Sequence, residues 1–353
     1  MQSSPPNLSQ VHFVDQDPTA ASRKHDHIAL AFESQVAAAQ VDARFYYEPL
    51  LSAHPKAGSW PSYSFLGYAL RSPLWVSSMT GGTALAGKIN HNLARVAGEF
   101  GFGMGLGSCR SLLSSKDTLA DFDVRASLGD KSPLFANLGI AQLEQVLAKG
   151  QTDLVLRMLD WLRADGLIIH VNPLQEWLQP EGDRFEQPPL DTIQRCLDAF
   201  PDLPIIVKEV GQGMGKESLR ALLQLPLAAV DFAANGGTNF AKLELLRSSS
   251  WEQDNYRGIS LLGHSALDMV QMVNALLGEL GPKLACQQII ISGGIQGFLD
   301  GYYLMKKLQL PSVYGQASAF LQYAKESYED LYAYTATQIK GLELAQAFLR
   351  VRD

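Results

Sequence analysis

The chain has 353 residues, enough for one α/β barrel of about 250 residues with roughly 100 left for extensions and insertions. Hydrophobic residues at 46% and charged residues at 18% exclude global disorder. Lys and Arg number 29 against 36 Asp and Glu, and a net charge of −7 argues against general nucleic-acid binding. The start, MQSSPPNLSQ, lacks the basic end and apolar run of a secretory leader, and no run of about 18 apolar residues follows. A cytoplasmic protein with no membrane partner is expected. Cys109, Cys196 and Cys286 form no C-x-x-C pair, which fits a reducing compartment without a zinc or disulfide framework.

Residues 1–70 read as an N-terminal extension contributing to the active-site mouth, with a helix near Ala29–Gln40. Residues 71–353 carry eight short apolar runs: Leu74–Ser77, Phe102–Leu106, Leu134–Ala136, Leu167–Val171, Ile205–Lys208, Ala229–Ala233, Gln288–Ile291 and Ser312–Gly315. Helix-length segments lie between most of them, among them Leu143–Arg163, Leu190–Phe200, Glu217–Leu225 and Leu267–Leu280. Continuous apolar strands alternating with helices predict a parallel sheet covered on both faces. Eight such units predict a (β/α)8 TIM barrel, with a doubly wound open sheet as the alternative. The long gap from Asn239 to Gln287 predicts an insertion between strands 6 and 7, part loop and part helix.

Barrel enzymes place their chemistry at the C-terminal ends of the strands. Here those ends carry Ser78–Gly82, Gly107–Arg110, Asn137–Gly139, His170–Glu176, Lys208–Gly211, Asn235–Thr238, Ser292–Ile295 and Gly315–Ser318. One such cluster is an ordinary turn; eight in order predict a site. Gly293 and Gly294 let backbone N–H groups approach an oxyanion, so a phosphate-bearing cofactor is expected at the last two loops. Lys208 is either a snorkelling surface lysine or a cation aimed at that cofactor, where it would favour an anionic reduced flavin. Glu176 is a hard oxygen ligand suited to Mg2+ beside substrate phosphate oxygens. His170 and Asn172 can bind oxyanions or hydroxyls. Arg23 and Lys24 are a solvated helix start or a diphosphate site, and Arg110 is a further cation for the same role.

The ordered set R-K-x-x-H (Arg23, Lys24, His27), S-M-T-G-G (Ser78–Gly82), G-S-x-R (Gly107, Ser108, Arg110), A-N-x-G (Ala136, Asn137, Gly139), H-x-N-x-x-Q-E (His170, Asn172, Gln175, Glu176), K-E-V-G (Lys208–Gly211), G-G-T with Glu244 six residues on, and G-G-I (Gly293–Ile295) resembles the type 2 isopentenyl-diphosphate isomerases. The matches span about residues 23 to 321. The resemblance implies a (β/α)8 barrel that interconverts isopentenyl and dimethylallyl diphosphate in isoprenoid biosynthesis. It implies reduced FMN as the active cofactor with NADPH as reductant, Mg2+, and a homo-oligomer, tetramer or octamer. Carried over, FMN contacts fall on Met79, Thr80, Ser108, Asn137, Lys208, Thr238, Gly293, Gly294, Gln316 and Ala317. Substrate contacts fall on Arg23, Lys24, His27, Arg110, His170, Asn172 and Gln175, and the metal ligand on Glu176. Gln175 and Glu244 stand nearest the proton transfers.

The chain departs from the family pattern at Cys109 (usually Gln), Gly215 (usually Ser) and Gln296 (usually Arg), so it is a divergent member. Two other functions share the barrel. An FMN-dependent 2-hydroxy-acid oxidase or dehydrogenase would need a late His base and an Arg pair, and His264 has no adjacent Arg. A flavin-binding protein that lost isomerase activity is opposed by the retained Gln175, Glu176 and Glu244.

Overall fold

The structure, a computed structural model, describes residues 19–78 and 81–352. The chain divides into two compact units, one reaching to Phe45 and including Arg352, the other covering Tyr46–Val351. In the first, the helix is Ala20–Ala29, not the segment near Ala29–Gln40, where turns lead to a single 3-10 turn at Ala38–Gln40. Local bonds account for the difference. Ser34 Oγ donates to the Ala31 carbonyl at 3.2 Å, and Gln40 Oε1 accepts the Ala37 N–H at 2.9 Å. Such side-chain bonds offer the backbone an alternative to helix.

The second unit contains eight parallel strands: β1 (Leu74–Val76), β2 (Gly103–Gly105), β3 (Leu134–Gly139), β4 (Gly166–His170), β5 (Ile205–Lys208), β6 (Ala229–Asp231), β7 (Ile289–Ser292) and β8 (Ser312–Gln316). They form a closed barrel. Closure is made by β8 against β1, with Tyr314, Gly315 and Gln316 opposite Leu74, Trp75 and Val76, so the open-sheet alternative is excluded. Strand β3 runs on to Gly139, which puts Asn137 inside a strand rather than in the loop after it. The segment expected as one helix over Leu143–Arg163 is two, Ile140–Ala148 and Thr152–Leu162. Gly150 separates them at a φ of +63°, a conformation that ends a helix at little cost only for glycine. The gap between β6 and β7 is mostly helical: Phe240–Arg247, Ser250–Tyr256 and Ala266–Leu280. The serine run that suggests a loop supplies a cap, since Ser249 Oγ accepts the Glu252 N–H.

Trp75, Phe135, Ile168, Ile206, Ile290 and Val313 fill the barrel, joined by Phe65 and Leu70. The last two come from a hairpin of Tyr63–Phe65 and Tyr68–Leu70. Its turn is tied to the residue before β7, where Gln288 Oε1 accepts the Leu66 N–H at 2.7 Å. The hairpin therefore plugs the N-terminal end of the barrel and leaves the C-terminal end open for chemistry. Trp75 is fully buried and lies across Gly103, where a Cβ would come within 2.1 Å of its ring. Trp75→Ala is expected to cost roughly 3–5 kcal/mol, because the surrounding strands cannot collapse into the space. A chemical denaturation curve displaced by less than 1 kcal/mol, on the order of an exposed substitution, would contradict this packing.

Candidate active site

A cavity of about 340 Å3 lies at the C-terminal strand ends. It is lined by Ser77 and Ser78 after β1, Lys208 of β5, Gly236–Thr238 after β6, Ser292–Gln296 at the end of β7 and Gly315–Ala319 at the end of β8. The glycines are there because two loops meet backbone to backbone. Gly293 and Gly294 hold φ values of +91° and +72°. A Cβ on Gly293 would meet the Ala234 carbonyl at 2.0 Å. With side chains removed, main-chain N–H groups border the cavity directly. The Oγ atoms of Ser77 and Ser78 are buried without a partner among the described residues. Unsatisfied buried hydroxyls at a cavity wall suit a bound polar group.

Lys208 is 6% exposed, so the snorkelling reading is excluded. Its Nζ donates to the Glu209 carbonyl at 2.7 Å, and no carboxylate lies within ion-pair distance among the described residues. Among the described residues lining the cavity it is the one charged side chain. Its register neighbours are His170 on β4 and Asp231 on β6. Asp231 is fully buried. Its Oδ1 accepts from Ser292 Oγ, which accepts the Ala233 N–H at 2.9 Å. Burial pushes the Asp231 carboxyl up, and the Lys208 charge and Ser292 hydroxyl pull it back. His170 Nδ1 lies 2.7 Å from Asn137 Oδ1. Asn137 Nδ2 already donates to the Leu106 carbonyl at 3.1 Å, so Oδ1 accepts and His170 Nδ1 carries the proton. Burial first, and the Lys208 charge second, push this imidazole down to about 3. It is neutral, with Nε2 left as an acceptor.

The loop after β4 forms a second cluster. Asn172 Nδ2 donates to Gln175 Oε1 and to Glu176 Oε1, both at 3.0 Å. Glu176 Oε2 accepts the backbone N–H of Asp183 at 2.7 Å. Asp183 Oδ2 in turn meets Arg110 Nη1 at 3.0 Å. The structure thus brings together Asn137 with His170, and Arg110 with Asn172, Gln175 and Glu176 through Asp183. Glu244 is buried on the helix Phe240–Arg247 and pairs with Arg247 at 2.7 Å. Of the expected cofactor contacts, Lys208, Thr238, Gly293, Gly294, Gln316 and Ala317 line the cavity. Ser108 is exposed and is not among its lining residues. Met79 and Thr80 lie outside the described residues. Arg23, Lys24 and His27 are exposed on the helix Ala20–Ala29 of the first unit, where their spacing puts them on one face. His264 borders a separate, more apolar cavity of about 560 Å3.

Sequence reasoning overlooked Asp231, Ser77 and Asp183. An aspartate inside the apolar run Ala229–Ala233 was the available signal for the first. Cys109, also buried, is pushed up to about 12 by its surroundings and is a packed thiol rather than a nucleophile. Among the described residues no group of three or more His, Cys, Asp or Glu is arranged to hold a metal ion, and no helix is long and apolar enough to cross a membrane.

No protein-family model matches the chain. It is 34% identical over 311 residues to an isopentenyl-diphosphate delta-isomerase of Rickettsia felis, covering 86% of each chain. A Rickettsia akari protein of the same name is 36% identical over 265 residues, 74% of this chain and 73% of that one. Among solved structures, a flavocytochrome b2 variant with sulfite bound aligns with a TM-score of 0.58 at 14% identity, covering 86% of this chain and 72% of that one. This last likeness is one of fold.

The neutral His170 makes a pH prediction. Unfolded, it takes up a proton near its ordinary 6.5; folded, it refuses one until about 3. Its contribution to stability is complete above pH 6.5 and is lost as pH falls toward 3. The Tm advantage of wild type over His170→Asn is therefore expected to shrink from pH 7 to pH 4. A constant difference over that range would refute the neutral imidazole.

Proposed function

The chain belongs to the isopentenyl-diphosphate delta-isomerase family, and from that premise we propose that it interconverts isopentenyl diphosphate and dimethylallyl diphosphate, with FMN in the Lys208 cavity and Mg2+ on Glu176. The observation that carries this reading is the polar cluster Asn172–Gln175–Glu176, which follows β4, the strand beside the one ending in Lys208. The cavity fits a flavin. It offers the glycine cradle at Gly293–Gly294, the unpartnered hydroxyls of Ser77 and Ser78, and a buried ammonium with donors to spare. Lys208 would face the electron-rich edge of the ring. Glu176 fits a hard cation that takes one protein carboxylate and completes its shell with water and diphosphate oxygens.

The substrate's double bond is unactivated. Moving it requires a proton on the terminal carbon and loss of one from C2, through a cation-like state that water would capture. A reduced flavin held by Lys208 and the Gly293–Gly294 loop would supply electron density toward that charge, and Mg2+ on Glu176 would offset the diphosphate. The protein's own part is threefold. Val210, Ala233, Ala234, Phe240 and Ile295 give the cavity apolar walls. Arg110 meets diphosphate charge, and that remote binding holds the reacting carbons in place. Gln175, fixed by Asn172, and the buried carboxylate of Glu244 serve the proton transfers.

Anaerobic incubation with isopentenyl diphosphate, Mg2+ and reduced FMN is expected to yield dimethylallyl diphosphate by proton NMR, and none when either Mg2+ or reduction is omitted. Gln175→Ala and Glu244→Ala should each lower kcat by about 100-fold or more with the flavin spectrum retained. Near wild-type turnover in both would remove them from the chemistry.

A further inference from the structure

One carboxylate outside the expected set ties the cluster together. Asp183 lies just past the turn that follows the helix Pro173–Leu178. Its Oδ2 accepts from Arg110 Nη1 at 3.0 Å and from Gln142 Nε2 at 2.8 Å, and its Oδ1 accepts from Gln145 Nε2 at 3.3 Å. Its own N–H donates to Glu176 Oε2 at 2.7 Å. Three segments distant in sequence thus converge on one residue: the loop after β2, the helix Ile140–Ala148 and the loop after β4.

An ordinary exposed ion pair contributes little, because both side chains must be ordered to form it. Asp183 differs on that count. Its side chain is 18% exposed against 59% for Arg110, so the anion is the fixed partner. Two amide donors hold it besides Arg110. The turn beneath it is held as well: Arg184 Nη1 donates to the Glu176 carbonyl, and a Cβ on Gly182 would lie 2.0 Å from that same oxygen. A guanidinium has five donors, and Asp183 engages one edge, leaving others for an incoming anion.

We propose that Asp183 is a positioning residue that sets Arg110 and Glu176 in a fixed mutual orientation, the cation by its side chain and the carboxylate by its main-chain N–H, so that a metal-bearing diphosphate meets both at once. This rests on the reading of Arg110 and Glu176 as diphosphate and metal contacts. Asp183 itself touches neither the substrate nor the metal.

The test is a double-mutant cycle on the flavin-loaded protein, using Asp183→Ala, Arg110→Ala and the pair. The readouts are kcat and KM for isopentenyl diphosphate and the Kd of inorganic diphosphate with Mg2+ by calorimetry. Asp183→Ala is expected to raise KM and Kd about tenfold, leave kcat within about threefold, and add less than about twofold in the Arg110→Ala background. Equal effects in both backgrounds, or a fall in kcat at constant KM, overturns the proposal. If Asp183→Ala loses its flavin spectrum, Asp183→Asn is read by the same criteria, with a smaller rise in KM expected because the amide oxygen still accepts from Arg110. If Arg110→Ala alone leaves KM and Kd unchanged, the diphosphate reading of Arg110 fails, and the proposal with it.

Discussion

Lys208 holds an ammonium group almost fully out of water, and that charge sets the electrostatics of the barrel's mouth. A buried cation is costly unless something answers it. Here the answers come from one rung of the barrel. Parallel pairing puts His170, Lys208 and Asp231 side by side on three consecutive strands. The imidazole responds by staying neutral, while the carboxylate feels the lysine as a partial offset to its own burial. Neither closes an ion pair with it. The ammonium therefore keeps donors facing the cavity, a state that a bound electron-rich group would stabilise. The same rung links the cavity to the polar cluster, since His170 leads directly into Asn172, Gln175 and Glu176.

A chain with net charge −7 must build any anion site locally, and the two regions do so differently. The cavity relies on geometry. Among the described residues it has one cation, glycine loops whose main chain is bare, and amides such as Gln296 and Gln316. The Gln296 N–H is already engaged by Asp300 at 2.9 Å, so that donor is satisfied within the protein. The second region relies on charge placed by other charge, with Arg110 held against Asp183. The division suits a permanent cofactor on one side and an exchanging substrate on the other. Backbone donors cannot swing away, whereas an arginine anchored by one edge offers its remaining donors to an anion that comes and goes.

Much of this was legible because parallel strands announce themselves as apolar runs, and polar residues that interrupt such runs at their ends stand out. Lys208, Gly293 and Gly294 were visible for that reason. Asp231 was not, because it sits within a run and only the register with Lys208 gives it meaning. Asp183 carries no local signal at all. Its importance arises from partners 73 residues away at Arg110 and 41 away at Gln142, contacts that no periodicity encodes. The helix misplacements have a different origin. Gly150 did punctuate Leu143–Arg163, but a continuous apolar pattern on both sides masked the break. Near Ala29–Gln40 the alanines favour helix, and short side-chain bonds from Ser34 and Gln40 override that preference.

The two residues placed nearest the proton transfers are not chemically equivalent. A primary amide does not gain or lose protons at neutral pH, so Gln175 can orient a reacting group but cannot store its proton. Glu244 can, but its carboxylate is 3% exposed and bonded to Arg247, whose own side chain is 56% exposed. Arg247 takes one of the two carboxylate oxygens, Oε2. The guanidinium charge offsets that of the ionised carboxylate. Of the pair, Glu244 is thus the one whose functional group can carry a proton through the reaction. On the proposed chemistry, Glu244 would carry the proton, and Gln175, held by Asn172, would orient the reacting group.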